Sequence, residues 1–379
     1  MKLPPFELVT SAESLALCLA ALHGEPLLAI DLEANSMFAY RERVCLIQIS
    51  TPTQDFIIDP VEPLDLEPLG HILANPAVQK VFHAAEYDLI LLKREYDWEL
   101  HNLFDTMWAS RILGYQRYGL ANMLEQLYGV KLDKRFQKSD WCKRPLTPAQ
   151  LQYAQLDTHY LLQLRHDLHQ QLAQAGLLEE AAETFTQQSR IELNDQPFDP
   201  DNFWNLHGAR DLTRRQQAIL KELFVYREQV AQRTNLPLFK VLSDRTLVEL
   251  AQLAPNGLAQ LNGAYGMSSG QIRRRGARIL QAVQRGQEAP LPTRPRHNRK
   301  RPPDAVLNRY EKLHNWRKET AVSRGVESDV ILSRQALWDI AGGNPSSMTA
   351  LSKIKSIGEW RCQTYGEEIL AVLQQLRSQ

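Results

Sequence analysis

Four carboxylates and one phenol hold most of the chemistry that this chain could perform. Asp31 and Glu33 end the stretch Leu27 to Glu33, LLAIDLE, whose apolar residues read as a buried strand. Alternate residues of a strand face one side, so the two carboxylates point together. Like charges held that close in apolar surroundings repel, and a bound cation relieves the repulsion. Taken alone, the pair equally fits a strand that stops at a polar loop, with one carboxylate capping a backbone N–H. Asp88 follows the strand-like VQKVFH, within FHAAEYDL, at the first turn of a helix. A lone carboxylate is common there because it meets the positive end of the helix dipole. Tyr153 and Asp157 stand at i and i+4 in YAQLD and share one helix face, as a core-edge tyrosine beside a surface acid also would. As a set, these oxygens are hard donors of the kind that hold Mg²⁺ or Mn²⁺.

Other polar residues lie near the same motifs. His83 ends the strand before Asp88, and His159, two residues beyond Asp157, falls on a different helix face; both are expected to be structural. Lys134, Lys138, Trp141 and Arg144 precede the helix of Tyr153 and fit either a nucleic-acid backbone contact or a solvated basic loop.

The elements that must position these groups follow from the pattern of the first half. Ser11 to Leu22 reads as an amphipathic helix with Ser11 as its cap and Ser14 at the third helical position. Strands are expected at Leu27 to Glu33, Val44 to Ser50, Phe56 to Asp59 and Val78 to His83, the first three joined by short hydrophilic stretches that suit antiparallel neighbours. Helices are expected at Leu66 to Ala74, Tyr87 to Tyr96, Thr106 to Leu113 and Leu120 to Tyr128. A single long helix is expected from Pro148 to about Ala173, capped by Thr147 with Pro148 at its first position. The implied fold is α/β with a mixed sheet.

The charge is unevenly distributed. Net charge is zero over 379 residues, yet residues 1–200 hold 16 Lys and Arg against 28 Asp and Glu, so the halves carry −12 and +12. An acidic half joined to a basic half points to a polyanion held by one and processed by the other. From Asn202 onward no strand pattern occurs, but a repeat at a spacing of 90 residues does: Leu223/Leu313, Arg227/Arg317, Leu242/Leu332, Leu247/Leu337, Pro255/Pro345, Gly276/Gly366 and Ile279/Ile369 align without gaps. The sequence therefore divides into residues 1–195, a first all-α repeat at 202–288, a basic proline-rich linker at 289–303 (PLPTRPRHNRKRPP, with Ala289 before it) and a second all-α repeat at 304–379. Apolar runs fall short of a membrane span, and MKLPPFELVT lacks the regions of a secretory signal, so a cytoplasmic protein without membrane attachment is expected. Cys18, Cys45, Cys142 and Cys362 lie far apart without metal-ligand spacing and are expected as reduced core thiols.

Asp-x-Glu on a first strand, Asp at a strand-to-helix junction and Tyr-x-x-x-Asp on a later helix resemble the three motifs of the DEDD exonuclease superfamily, in its tyrosine subgroup. FHAAEYDL and SDWCKRPLTPAQLQYAQLDTHYLLQL look closely like the ribonuclease D family, and the 90-residue repeats resemble the HRDC domain, present twice. The resemblance implies a ribonuclease H-like exonuclease domain with a mixed sheet, followed by two HRDC helical domains. It also implies phosphodiester hydrolysis with two divalent ions, Mg²⁺ or Mn²⁺, about 3.5 to 4 Å apart. On that reading Asp31, Glu33 and Asp157 hold the ion beside the attacking water, Asp31 also bridges to the second ion, Asp88 acts through the second ion's water shell, and Tyr153 orients the water. One departure is plain: many relatives carry an aromatic residue after the glutamate, whereas Ala34 stands here, and Met37 or Phe38 is expected to take its place against the terminal nucleotide.

The resulting expectation is a monomeric 3′-to-5′ exoribonuclease that trims structured RNA, especially precursor tRNA, to nucleoside 5′-monophosphates. A DNA exonuclease and an RNA-binding protein with a vestigial nuclease domain are the competing readings. In the first repeat, Arg273, Arg274, Arg275 and Arg278 are expected to grip RNA phosphates. The second repeat has Gln363, Thr364, Tyr365 and Glu368 at those positions, and with Trp338 and Trp360 is expected to dock against the rest of the chain.

Overall fold

The apolar stretches of the first half assemble into one six-stranded sheet with helices on both faces. The computed structural model describes residues 3–193, 195–294 and 301–377. In chain order the first part contains β1 (Phe6–Val9), α1 (Ala12–Leu22), β2 (Leu27–Ala34), β3 (Val44–Ser50), β4 (Asp55–Ile58), α2 (Glu67–Ala74), β5 (Gln79–Phe82), α3 (Glu86–Tyr96), β6 (Leu103–Asp105), α4 (Thr106–Ile112), α5 (Leu120–Tyr128), α6 (Pro148–His159), α7 (Leu161–Ala175) and α8 (Leu178–Gln188). The strand order is β1-β4-β3-β2-β5-β6. The β2–β3 and β3–β4 pairs are antiparallel, as the short connections require, and β1–β4, β2–β5 and β5–β6 are parallel. The fold is thus α/β with a mixed sheet.

Strand periodicity assigns the two faces of the sheet different work. Ile30 and Leu32 on β2, with Ile47 and Ile49 on β3, face α2 and α3, where Leu69, Leu73, Leu92 and Trp98 complete the main core. The opposite face carries Asp31 and Glu33, and beside them Leu46 and Gln48, under α6. One strand therefore buries its apolar side in the core and presents its carboxylates to a covering helix.

Three expectations about this region need correction. The helix from Pro148 does not run on to Ala173: it stops at His159, and Tyr160, with φ −96° and ψ −3°, separates it from α7. No Gly or Pro marks the break. It coincides with two ties to the sheet, Ser50 Oγ donating to Thr158 Oγ1 at 2.7 Å and His159 Nδ1 lying 2.8 Å from Asp55 Oδ2. Strands β1 and β6 and helix α8 carry too short or too polar a pattern to have been expected. Finally, Cys45 and Cys142 form a disulfide, their Cα atoms 4.9 Å apart, while Cys18 and Cys362 are buried free thiols. The bonded pair is 97 residues apart in sequence, so only the docking of the loop before α6 onto β3 reveals it.

The second half recurs element by element. It contains α9 (Arg214–Thr234), α10 (Leu238–Val241), α11 (Asp244–Leu253), α12 (Ser269–Glu288), α13 (Asp304–Arg324), α14 (Ser328–Ile331), α15 (Arg334–Gly343), α16 (Met348–Leu351) and α17 (Glu359–Arg377), with no strand among the described residues. The helices α9 to α11 begin and end 90 residues before α13 to α15. The repeated residues make the same bonds in both copies. Arg227 Nη1 donates to Leu242 O at 3.2 Å, and Arg317 Nη1 to Leu332 O at 2.9 Å, so each buried guanidinium closes the turn after the short second helix. Gly276 and Gly366 make the same close approach in both copies: a Cβ would fall 2.8 Å from Leu258 Cδ2 in one and 2.6 Å from Met348 Cε in the other. Of the linker expected at 289–303, residues 295–300 lie outside the described residues.

By contact the chain forms two compact units, one of Met1–Ala34, Val44–Leu193 and Arg301–Gln379, the other of Asn35–Arg43 with Asn194–Lys300. In the first, the second repeat is locked to α4 and α8 by ion pairs. Arg111 Nη2 lies 2.6 Å from both Glu327 and Asp329, Arg324 Nη2 2.8 Å from Glu180, and Arg361 Nη1 2.7 Å from Glu183. Glu180 is fully buried and Arg361 nearly so, and Arg361 also donates to Val330 O, Ile331 O and Thr184 Oγ1, which compensates the desolvation of its charge. The expected docking of this repeat is found, but guanidiniums dominate it. The Trp360 backbone N–H donates to Glu183, whereas Trp338 stacks on Tyr310 inside its own repeat. In the second unit, Phe38 lies under the Lys240 ammonium, 3.9 Å from ring centre to Nζ, and Met37 is exposed. Among the described residues no helix is long and apolar enough to cross a membrane.

Candidate active site

The strand β2 brings Asp31 and Glu33 to the α6 face, opposite Gln48 and Leu46 of β3. The register shifts immediately after Glu33, and such a bulge ends regular pairing where the carboxylates must turn away from the ladder. From the other side, α6 presents Tyr153 and Asp157 one turn apart. Its orientation is set by polar ties on its far side, where Asp55 Oδ2 accepts from Gln155 Nε2 at 2.7 Å and approaches His159 at 2.8 Å. As a result, ligand oxygens of Asp31, Glu33 and Asp157 all lie within 4.8 Å of one another. Asp88, in the first turn of α3, is buried beside this cluster but outside that distance.

Asp88 is placed by a residue that the sequence reading passed over. Ala84 has φ +64°, a conformation rarely adopted by residues with a side chain, at the turn between β5 and α3. Buried Asp105, at the end of β6, accepts from Ala84 N (3.1 Å) and Ala85 N (2.8 Å), and from Met107 N and Trp108 N at the start of α4. One carboxylate thereby fixes the turn that aims Asp88 and caps the next helix. Gln48 was also passed over. It is fully buried across from Asp31, and neither its Oε1 nor its Nε2 has a partner among the described residues. A glutamine inside the apolar run VCLIQIS is a visible signal that a polar group is needed there.

The tyrosine is held from the loop before α6. Its ring packs against Phe136 and Trp141, each 5.9 Å away between centroids, and its hydroxyl bonds to Asp157. Three ties fix that loop to the sheet: the Cys45–Cys142 bond, burial of Trp141, and Arg144, whose guanidinium meets both Asp59 oxygens at 2.5 Å and Cys45 O at 2.9 Å. Arg144 and Trp141 are therefore structural rather than open to a nucleic acid, while Lys134 and Lys138 are exposed. His83 contacts Thr106 Oγ1 at 2.9 Å, and burial lowers its pKa to about 4, as suits a neutral structural imidazole. In the other unit, Arg273, Arg274 and Arg278 are exposed on α12, and part-buried Arg275 donates to Gln271 Oε1 at 2.5 Å.

Burial and mutual repulsion dominate the electrostatics of the cluster. Burial pushes the Asp31 carboxyl up to about 7. Glu33 rises to about 10, first by burial and then by the charges of Asp31, Asp157 and Asp88. Asp88 and Asp157 are also held well above the usual carboxylate range, by burial and then by Asp31. Tyr153 is raised by burial and by Asp157, Glu33 and Asp31, so its hydroxyl keeps its proton at neutral pH. Four converging acids, with no basic side chain among them in the described residues, fit a divalent metal, whose charge would favour their ionised forms. A testable consequence follows from linkage. Carboxyls with folded-state pKa above the ordinary value of about 4 bind protons more tightly when folded, so their contribution to stability is full below pH 4 and is lost as pH rises toward 7 and beyond. The metal-free chain is expected to melt at a lower temperature at pH 8 than at pH 5.5, and Mn²⁺ to raise the melting temperature more at pH 8, by about 4 °C or more. Scanning calorimetry at both pH values checks this; a metal effect that is absent or independent of pH contradicts it.

Residues 6–173 match the 3′-5′ exonuclease family, and residues 216–283 and 306–373 match the HRDC domain. The chain is 30% identical over 382 residues to a ribonuclease D of Granulibacter bethesdensis, covering 98% of this chain and 93% of that one. It is 31% identical over 380 residues to a ribonuclease D of Jannaschia sp., covering 96% and 94%. The crystal structure of Escherichia coli RNase D, described as an exoribonuclease involved in structured RNA processing, superposes with a TM-score of 0.68 at 26% identity, over 98% of this chain and 99% of that one.

Proposed function

From the chain's membership of the ribonuclease D family of 3′-to-5′ exoribonucleases, we propose that it trims the 3′ ends of structured RNAs, precursor tRNA above all, and releases nucleoside 5′-monophosphates. The convergence of Asp31, Glu33 and Asp157 within 4.8 Å, with Tyr153 bonded to Asp157, carries the reading. Asp31, Glu33 and Asp157 would hold one divalent ion, with Asp31 shared by a second and Asp88 acting through its water. Two Mg²⁺ or Mn²⁺ ions so held would acidify the attacking water and neutralise charge on the entering and leaving oxygens.

The protein's own groups do the rest. Tyr153 stays protonated, so it positions a water by its hydroxyl instead of removing a proton from it. Its ring cannot drift, because Phe136 and Trp141 pack against it from a loop tied to β3. Gln48 offers an unpaired amide to Asp31 or to a water beside it. In the first repeat, Arg273, Arg274, Arg275 and Arg278 would engage backbone phosphates. On this reading the chain is a cytoplasmic monomer with its exonuclease domain at 1–195, HRDC domains at 202–288 and 304–379, and a linker at 289–303. Incubation of labelled precursor tRNA and single-stranded DNA with the protein, with and without EDTA, tests it. Trimming of the RNA alone, abolished by EDTA, is expected. Equal attack on DNA would point to a DNA exonuclease, and binding without degradation to an RNA-binding protein.

A further inference from the structure

The segment that leads into α9 builds a second feature with ligand chemistry. A 3-10 turn at Pro200–Asn205, capped by Asp199, sets Trp204 beside the start of α9. Gln217 in α9 donates to Ala209 O (3.3 Å) and Leu212 O (3.0 Å), tying down the intervening chain, and Arg215 donates to Gly286 O (3.0 Å) and Ala289 O (2.7 Å), which fixes the end of α12 against α9. Between these parts lies a cleft of about 330 Å³, lined by Trp204, Arg210, Arg214, Gln217 and Arg294 among others. No carboxylate lines it, and among the described residues none of its three arginines has an ion pair or hydrogen bond. Trp204 forms one wall of the cleft with only 8% of its surface exposed.

Three guanidiniums on one concave surface repel one another unless an anion sits between them, and their paired N–H groups match phosphate oxygens in geometry. The arginine at the start of α9 is particular to this repeat: 90 residues on, Arg214 is replaced by Asp304, which pairs with Arg301 at 3.2 Å. A cleft of this size accommodates one phosphodiester with its sugar. Along α12, the arginines at 273 to 278 stand roughly 12 to 20 Å from Gly286 by helical rise, so cleft and α12 patch mark opposite ends of the α9–α12 pair.

We propose that this cleft is a phosphate site that holds a backbone phosphodiester of the RNA substrate, with Arg210, Arg214 and Arg294 as its ligands. The proposal rests on the reading of the chain as an RNA exonuclease. Its test is fluorescence anisotropy of a labelled 20-nucleotide single-stranded RNA with the full chain in EDTA across a salt series, comparing the parent with R210Q/R214Q/R294Q and with the corresponding triple lysine variant. All three side chains are exposed, so circular dichroism and melting temperature should match the parent's. The glutamine variant is expected to bind about tenfold more weakly at 100 mM salt, with the slope of log affinity against log salt smaller by about 0.7, the value of one lost phosphate contact on a single strand. The lysine variant, which keeps charge but not the paired donors, should recover the slope and only part of the affinity. If the parent binds and degrades RNA while the glutamine variant matches its affinity and slope, the cleft is not a phosphate site and the exonuclease reading stands. If the parent fails to bind RNA, both fall.

Discussion

Asp31→Asn and Asp157→Asn are each expected to reduce RNA hydrolysis at least about a thousandfold, ~4 kcal/mol in the barrier, while RNA binding changes little. Each substitution replaces a charged ligand oxygen by an amide of the same shape, so the packing under α6 is undisturbed and only the hold on the cation is lost. A further sign separates this loss from misfolding. Burial raises the carboxyls of Asp31 and Glu33, and the charges of Asp31, Asp157 and Asp88 raise Glu33 further, so removal of one charge from this buried site should raise the melting temperature of the metal-free chain. A variant that is more stable and inactive is the signature of a binding site; single-turnover rates read beside calorimetry show it. Near-parental turnover in either variant with Mg²⁺ would remove the acid cluster from the mechanism.

Tyr153→Phe has the next largest expected effect, about 30- to 100-fold in turnover, in the range of a positioned proton donor or acceptor, ~2 to 3 kcal/mol. The phenylalanine ring retains the contacts with Phe136 and Trp141 and deletes only the hydroxyl that bonds to Asp157. Metal-induced stabilisation should therefore persist, since Asp31, Glu33 and Asp157 are untouched. A rate equal to the parent's would make Tyr153 a packing residue. Loss of the metal effect together with the rate would place its role in shaping the metal site instead of orienting water.

What the sequence makes legible follows from physical range. The strand with Asp31 and Glu33, the helix start before Asp88 and the i, i+4 spacing of Tyr153 and Asp157 are local patterns, and the structure brings those groups together. The 90-residue repeat is legible for the same reason, since Arg227 and Arg317 bond to Leu242 O and Leu332 O within their own copies. What stayed hidden depends on which distant elements become neighbours. Asp105 matters only because β6 lies beside β5, so that it can bond the turn before α3. The Cys45–Cys142 bond, the withdrawal of Arg144 to Asp59 and the buried Glu180–Arg324 pair all join residues at least 85 positions apart. The break at Tyr160 coincides with ties from Thr158 and His159 to the sheet, and no Gly or Pro marks it in the sequence.

The central claim, metal-dependent removal of nucleotides from the 3′ end, is tested most directly by one RNA labelled in two ways. With Mn²⁺, a 5′-labelled strand should shorten one nucleotide at a time and keep its label in each successive fragment. The 3′-labelled copy should lose its label at the first turnover as a nucleoside 5′-monophosphate, and EDTA should stop both reactions. Release of the 5′ label as a mononucleotide, discrete internal fragments, or undiminished degradation in EDTA would contradict the account.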